Sequence, residues 1–198
     1  MLYSTGDLHQ KYNNYVNSGV KIETEVKRGN LFPVVHGLYS DDPHVDPLCL
    51  APYIYGPSYI SFETALSFYD LIPERTYSVT SATCLKRRTK EYLTPFGIFR
   101  YRDVPAEVFL YGLVDMEANG IPYKMASPEK AILDKIYSLR GVGSIKQLKL
   151  LLFEDLRIEE GDFENLDKAK LIEYGSHYKS QNVNLLIKML KQGGNGEC

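Results

Sequence analysis

The sequence predicts an α+β protein, with a short N-terminal winged helix-turn-helix followed by an α+β domain that has a small, mostly antiparallel sheet and C-terminal helices. Three observations lead there. Apolar residues recur at helical spacing before residue 28 and then give way to short extended pieces. The middle of the chain carries β-branched and alternating segments separated by turn residues. From Ser127 onward the pattern returns to helical spacing. A chain of 198 residues, 44% hydrophobic and 24% charged, can bury a core and lacks the composition of a disordered protein.

Taken in order, Ser4 or Thr5 caps a first helix through Leu8, Tyr12 and Tyr15. Ser18 is the expected N-cap of a second, with Ile22 and Val26 on one face and Gly29 as the stop after Lys27 and Arg28. Leu31–Val35 and Gly37–Tyr39 read as two extended pieces bent around His36 and Gly37. The turn-rich stretch Ser40–Pro47 marks a boundary, which divides the chain into 1–44 and 45–198. Beyond it, Ser61–Leu71 has helical spacing, whereas Thr76–Thr83, Gly97–Asp103, Tyr111–Ala118 and Pro122–Met125 read as strands. Ser127-Pro128-Glu129 supplies a cap, a proline at the first helical position and an acid in the first turn, followed by the stripe Ile132, Leu133, Ile136 and Tyr137. Further helices are expected at Ile145–Phe153, Glu164–Glu173 and Val183–Lys191, and the tail GGNGEC is expected to fray.

Charge limits the function classes. A net charge of −2 excludes attraction of nucleic acid by the whole molecule, so any such binding needs a local patch. The opening MLYSTGDLHQ has neither a basic nor an apolar leader region, and no apolar run reaches membrane-spanning length. Cys49, Cys84 and Cys198 are an odd set without close spacing. A cytoplasmic location and no membrane partner are the expectations.

Two segments are candidates for nucleic-acid contact. With Ile22 and Val26 inward, Lys21, Thr24, Glu25 and Arg28 share the outward face of the second helix, beside Lys27, and His36 tops the wing. Lys and Arg there suit phosphates, and a threonine hydroxyl suits a base edge. Residues 1–40 nevertheless hold four cations against three acids, a balance of +1, which equally describes a solvated helical cap. The second segment contains Lys86, Arg87, Arg88, Lys90, Arg100 and Arg102 against Glu91 alone, the largest charge asymmetry in the chain. Arg100 and Arg102 are two apart on a predicted strand and share a face. That run is either a phosphate-tracking surface or a charged hairpin edge that deters association.

Catalytic signatures are sparse. Asp115 and Glu117 have the strand spacing of a carboxylate pair for Mg²⁺, but no Gly-Ser or Gly-Gly turn opening a helix precedes them. They are expected on the exposed face of a strand that ends in the Asn119-Gly120 turn. His9, His36, His44 and His177 lack metal-ligand spacing, and no CxxC, P-loop, GxGxxG or GxSxG motif occurs. The expectation is a binding protein rather than an enzyme, with no cofactor and no metal.

Four stretches, in order, resemble the AbiEi-type antitoxins of bacterial type IV toxin–antitoxin (abortive infection) systems. They are VKRGNLFPVVHGLYS at Val26–Ser40, YISFETALSFYDLIPE at Tyr59–Glu74, YSVTSATCLKRRTKEYLTPFGIFRYRDVP at Tyr77–Pro105, and ASPEKAILDKIY at Ala126–Tyr137. The resemblance implies that 1–44 is a winged-helix DNA-binding domain and 45–198 an antitoxin domain. It implies a transcriptional autorepressor that binds double-stranded promoter DNA and counteracts a nucleotidyltransferase-like toxin. On that resemblance the DNA-facing positions are Lys21, Thr24, Lys27, Arg28 and His36. The alternatives are a protein-interaction module without a DNA role and a metal-dependent nucleotidyltransferase. The N-terminal module departs from the family pattern in having at most two helices before the wing, where a full module has room for a third.

Overall fold

The computed structural model describes residues 1–193, so residues 194–198 of the tail expected to fray lie outside the described residues. The first forty residues form β1 (Leu2–Ser4), α1 (Thr5–Lys11), α2 (Ser18–Lys27), β2 (Phe32–Val35) and β3 (Leu38–Ser40). The three strands make an antiparallel sheet in the order β1-β3-β2. Strand β1 was not expected from the sequence, because three residues are too few to show alternation.

Local chemistry sets each boundary. Ser4 caps α1 in a reciprocal capping box with Asp7. Asn17, rather than Ser18, caps α2 by accepting a hydrogen bond from the Val20 amide at 3.1 Å. Gly29 ends that helix at φ +74°, a left-handed conformation with little cost for glycine. Leu8, Ile22 and Leu31 form a small cluster between the two helices and the sheet, ringed by Tyr3, Tyr12, Val26 and Tyr39. Val34, by contrast, belongs to the main core, so this unit is packed onto the rest of the chain.

Residues 41–46 lead into α3 (Pro47–Ile54), a helix the sequence reading did not anticipate. Its start is well marked, with Asp46 as cap and Pro47 in the first turn, but its apolar residues run almost continuously and give no amphipathic period. Then follow β4 (Ser58–Ile60), α4 (Phe62–Phe68), β5 (Ser78–Thr83), β6 (Lys90–Thr94), β7 (Gly97–Asp103), β8 (Leu113–Ala118) and β9 (Ile121–Ala126). These strands form one sheet in the order β6-β7-β5-β4-β9-β8. Its neighbours alternate in sense: β5–β7 and β4–β9 are parallel, and β6–β7, β4–β5 and β8–β9 are antiparallel. The sheet is therefore larger and more mixed than the small, mostly antiparallel one expected. Hairpin spacing along the sequence reveals antiparallel neighbours but not parallel partners brought together by crossovers.

The two faces are covered differently. The Tyr101 hydroxyl on β7 donates to the Ala51 carbonyl of α3 at 2.8 Å, which fixes α3 on one face. Its neighbours Arg100 and Arg102 point to the other, where α4 lies with α5 (Pro128–Tyr137). Beyond α5 come α6 (Ile145–Leu150), a π-helical turn at Leu151–Asp155, α7 (Glu160–Glu164), α8 (Lys168–Gly175) and α9 (Gln181–Gly193). The helix expected over Glu164–Glu173 is α8, which starts later because Asp167 caps the Lys170 amide, and the short α7 before it was not expected. Asn182 of α9 is buried and bonds the carbonyl of Ile136 and the amide of Val142, tying the last helix to the end of α5.

The start of α4 has an unusual cap. Ser61 occupies the N-cap position but its hydroxyl makes no capping bond. Thr80 of β5 substitutes: its Oγ1 accepts from the Thr64 amide at 3.0 Å and donates to the Ser61 carbonyl at 2.7 Å. Thr64 reciprocates, its Oγ1 accepting from the Thr80 amide at 2.8 Å. No helix among the described residues is long and apolar enough to cross a membrane.

Candidate functional site

The eleven residues expected at a nucleic-acid interface do not form one surface. On α2, Lys21 bonds Glu25 at 2.6 Å and lies over the rings of Tyr15 and Tyr12, with its side chain only 18% exposed. Glu25, expected on the outward face, is buried, and it also accepts from the Asn30 side chain at 2.7 Å. A glutamate can take this position because both its oxygens find donors. The Thr24 hydroxyl donates to the Val20 carbonyl at 2.8 Å, a local bond that competes with a role in base reading. Lys27 and Arg28 are exposed at the end of α2, and His36 is exposed at the β2–β3 turn.

The basic run from 86 to 102 is split by the sheet. Lys90 is in register with Tyr101 and so shares the α3 face; Lys86 lies on the same side, over the Tyr55 ring at 5.1 Å. Arg100 and Arg102 occupy the α4–α5 face, where Arg100 pairs with Glu91 across the strands at 2.6 Å. Arg87 and Arg88 are exposed on the loop between β5 and β6, and the Arg87 amide bonds Asp103. Alternation of side chains along a strand, together with pairing to a neighbour, separates charges that are close in sequence.

What the fold does bring together is a set of polar residues from Tyr59–Glu63 and Lys130–Lys135, stretches read from sequence as helix starts and packing. Asp134 is fully buried, and its Oδ2 accepts from Ser61 at 2.7 Å and Tyr59 at 2.9 Å. Its Oδ1 accepts from Lys130 at 2.8 Å and from Tyr178, just before α9, at 2.5 Å. The Lys130 ammonium, equally buried, lies 4.9 Å from the Tyr178 ring centre and 5.5 Å from that of Tyr59. Burial pulls the Lys130 ammonium below its ordinary value against the attraction of Asp134. Burial and the same carboxylate push the phenols of Tyr59 and Tyr178 well up, keeping both as neutral donors.

Next to Asp134 on α5, Lys135 bonds Glu63 Oε1 at 2.7 Å, and Arg102 Nη1 approaches the two oxygens of Glu63 at 3.1 and 3.3 Å. Burial raises the Glu63 carboxyl, but the Lys135 hydrogen bond and the charges of Lys135 and Arg102 outweigh it and hold the group below its ordinary 4.5. The unfolded carboxyl binds protons more tightly than the folded one, so Glu63 stabilises the fold fully above 4.5 and loses that effect as pH falls through its lower folded value. The melting temperature of the native protein is expected to exceed that of Glu63→Gln at neutral pH, with the gap closing on acidification below that range. A gap independent of pH would contradict this account.

The carboxylates Asp115 and Glu117 stand exposed on β8, where Asp115 pairs with Lys124 across the hairpin at 2.5 Å. Among the described residues no group of three or more His, Cys, Asp or Glu is arranged to hold a metal ion. His9 bonds Ser18 between α1 and α2 at 2.7 Å, and His177 stacks on Tyr111 with ring centres 4.7 Å apart. Cys49 is a buried thiol pushed up to about 11 by burial and the nearby Asp46 charge. No protein-family model matches the chain, and no curated protein matches it.

The buried network had one sequence signal. Lys130 and Asp134 are four apart on a helix whose intervening residues are Ala, Ile and Leu. A charged pair inside an apolar helix has to face a polar interior rather than water.

Proposed function

We propose that this chain is a DNA-binding regulator of the antitoxin type, binding promoter DNA with residues 1–44 and counteracting a nucleotidyltransferase-like toxin with residues 45–198. The observation that supports it most is the arrangement β1-α1-α2-β2-β3, in which the second of two packed helices ends beside a hairpin, as in a winged helix-turn-helix. On this reading the phosphate contacts come from Lys27 and Arg28 at the exposed end of α2, with His36 at the tip of the wing. Lys21 and Thr24 are engaged within α2, by Glu25 and the Val20 carbonyl. The order of the four antitoxin-like stretches supports assigning the partner.

The test is binding of the full chain to DNA upstream of its own gene across a salt series. Affinity is expected to fall with salt, and Lys27→Glu with Arg28→Glu is expected to weaken binding by about tenfold or more and flatten the salt slope by about 2. Absence of binding at low salt, or a double variant that binds as tightly as the native chain, overturns the DNA half of the reading.

A second reading has its own observation. Tyr15, Val16 and Val20 are 52%, 110% and 57% exposed around the α1–α2 turn, an apolar tip suited to a protein partner. A stable copurifying protein together with no shift of any DNA would favour it.

A further inference from the structure

A cleft of about 320 Å³ lies on the α4–α5 face of the sheet, between β5 and β7 and the segment that precedes β5. We propose that it is a binding site for the phosphate group of a small molecule. Nothing in the DNA-binding reading uses it.

Donors exceed acceptors in this cleft. Four cations reach the cleft, Arg75, Arg100, Arg102 and Lys135, against three acids, Glu63, Glu74 and Asp155. Glu74 is already paired with Arg157, which is not among the lining residues. Arg100 meets Glu91 through Nε and keeps its two terminal nitrogens. Arg102 engages Glu63 through Nη1 alone, and Lys135 uses one of its three protons there. Glu63 accepts three bonds on two oxygens, and Asp155, exposed and without an ion pair among the described residues, is the one other free acid of the lining, so most of these donors stay unanswered.

Arg75 is exposed at the mouth and forms no ion pair among the described residues. A group with three terminal oxygens and up to two negative charges fits this surplus better than a planar carboxylate with two. The Arg102 guanidinium is also held in orientation, its centre 5.2 Å from the Phe62 ring centre, so little ordering remains on binding. Ile72 and Leu156 give the cleft an apolar wall, and Tyr77, 98% exposed, stands at its rim. These features point to a phosphate monoester with a small organic body. The volume is at the low end for ligand sites and too small for a nucleic-acid strand.

The test is calorimetric titration of the full chain, at constant ionic strength, with inorganic phosphate, adenosine 5′-monophosphate and acetate. Phosphate and the monoester are expected to bind in the millimolar range or tighter, and acetate more weakly. Tighter binding of the monoester assigns the site to an organic phosphate, and equal binding to inorganic phosphate; either supports the proposal. Arg102→Gln is expected to weaken binding about tenfold or more, and Arg75→Ala, an exposed position that leaves the fold intact, by several-fold. Glu63→Gln removes the competing acceptor and is expected to tighten binding while lowering stability, a pairing that general damage does not produce. No phosphate binding up to about 10 mM, acetate binding equal to phosphate, or affinity unchanged in both Arg75→Ala and Glu63→Gln overturns it.

Discussion

Asp134→Ala is expected to lower the unfolding free energy by about 3–5 kcal/mol, because it leaves a buried ammonium without its counter-charge. Asp134 accepts from four groups on three parts of the chain, namely Tyr59 and Ser61 at β4, Lys130 on α5 and Tyr178 before α9. Removing it orphans Tyr59, Ser61 and Tyr178 as donors and leaves the Lys130 ammonium only the neutral Tyr178 hydroxyl, with no route to water. Replacing both charges by apolar groups in Lys130→Met with Asp134→Leu is expected to be less harmful than Asp134→Ala alone. Urea unfolding checks both, since a shift in midpoint at constant slope reports stability. A single variant costing less than about 1 kcal/mol would show that the network relaxes or takes in water, and would falsify its structural role.

Gly112→Ala is expected to cost about 2–4 kcal/mol, from a left-handed backbone and an overpacked contact acting together. Gly112 has φ +58°, and a Cβ there would lie 2.8 Å from Cε2 of Tyr174 and 3.0 Å from Cβ of Lys130. Both neighbours are held, Lys130 by its ion pair and Tyr174 by its packing against Tyr111. Gly120 is the matched control. It has φ +71° with nothing within 4 Å of a Cβ, so Gly120→Ala should show the backbone cost alone, about 1 kcal/mol. Thermal or urea unfolding of the two variants separates the contributions, and equal losses would rule out the steric part.

Much of the element order was legible from periodicity and punctuation. Strand β7 runs over Gly97–Asp103 as expected, and α5 begins at the Ser127 cap as expected. The hairpin turn Asn119-Gly120 has positive φ at both residues, the conformation for which that pair is favoured. The short strands β1 and β4 were not legible, because three residues carry no period. Helix α3 was missed because it is apolar on nearly every side.

Functional positions were less legible for a physical reason. Charge seen along a sequence says nothing of which neighbour will claim it. Lys21 looked free to meet DNA until its turn of helix folded it onto Glu25, and Arg102 looked like part of a basic patch until α4 brought Glu63 to it. Conversely, Asp134 and Tyr59 are 75 residues apart, and no local pattern announces their bond.

The threonine pair at the start of α4 carries a consequence for how the chain folds. With Ser61 turned away to Asp134, the first turn of this seven-residue helix is completed by a side chain on β5, sixteen residues downstream. A helix so short has negligible population in isolation. The helix therefore cannot form ahead of the strand residue that completes its first turn. Hydrogen exchange at the Thr64 and Thr80 amides should report one shared opening event, with matched protection under all conditions that leave the protein two-state.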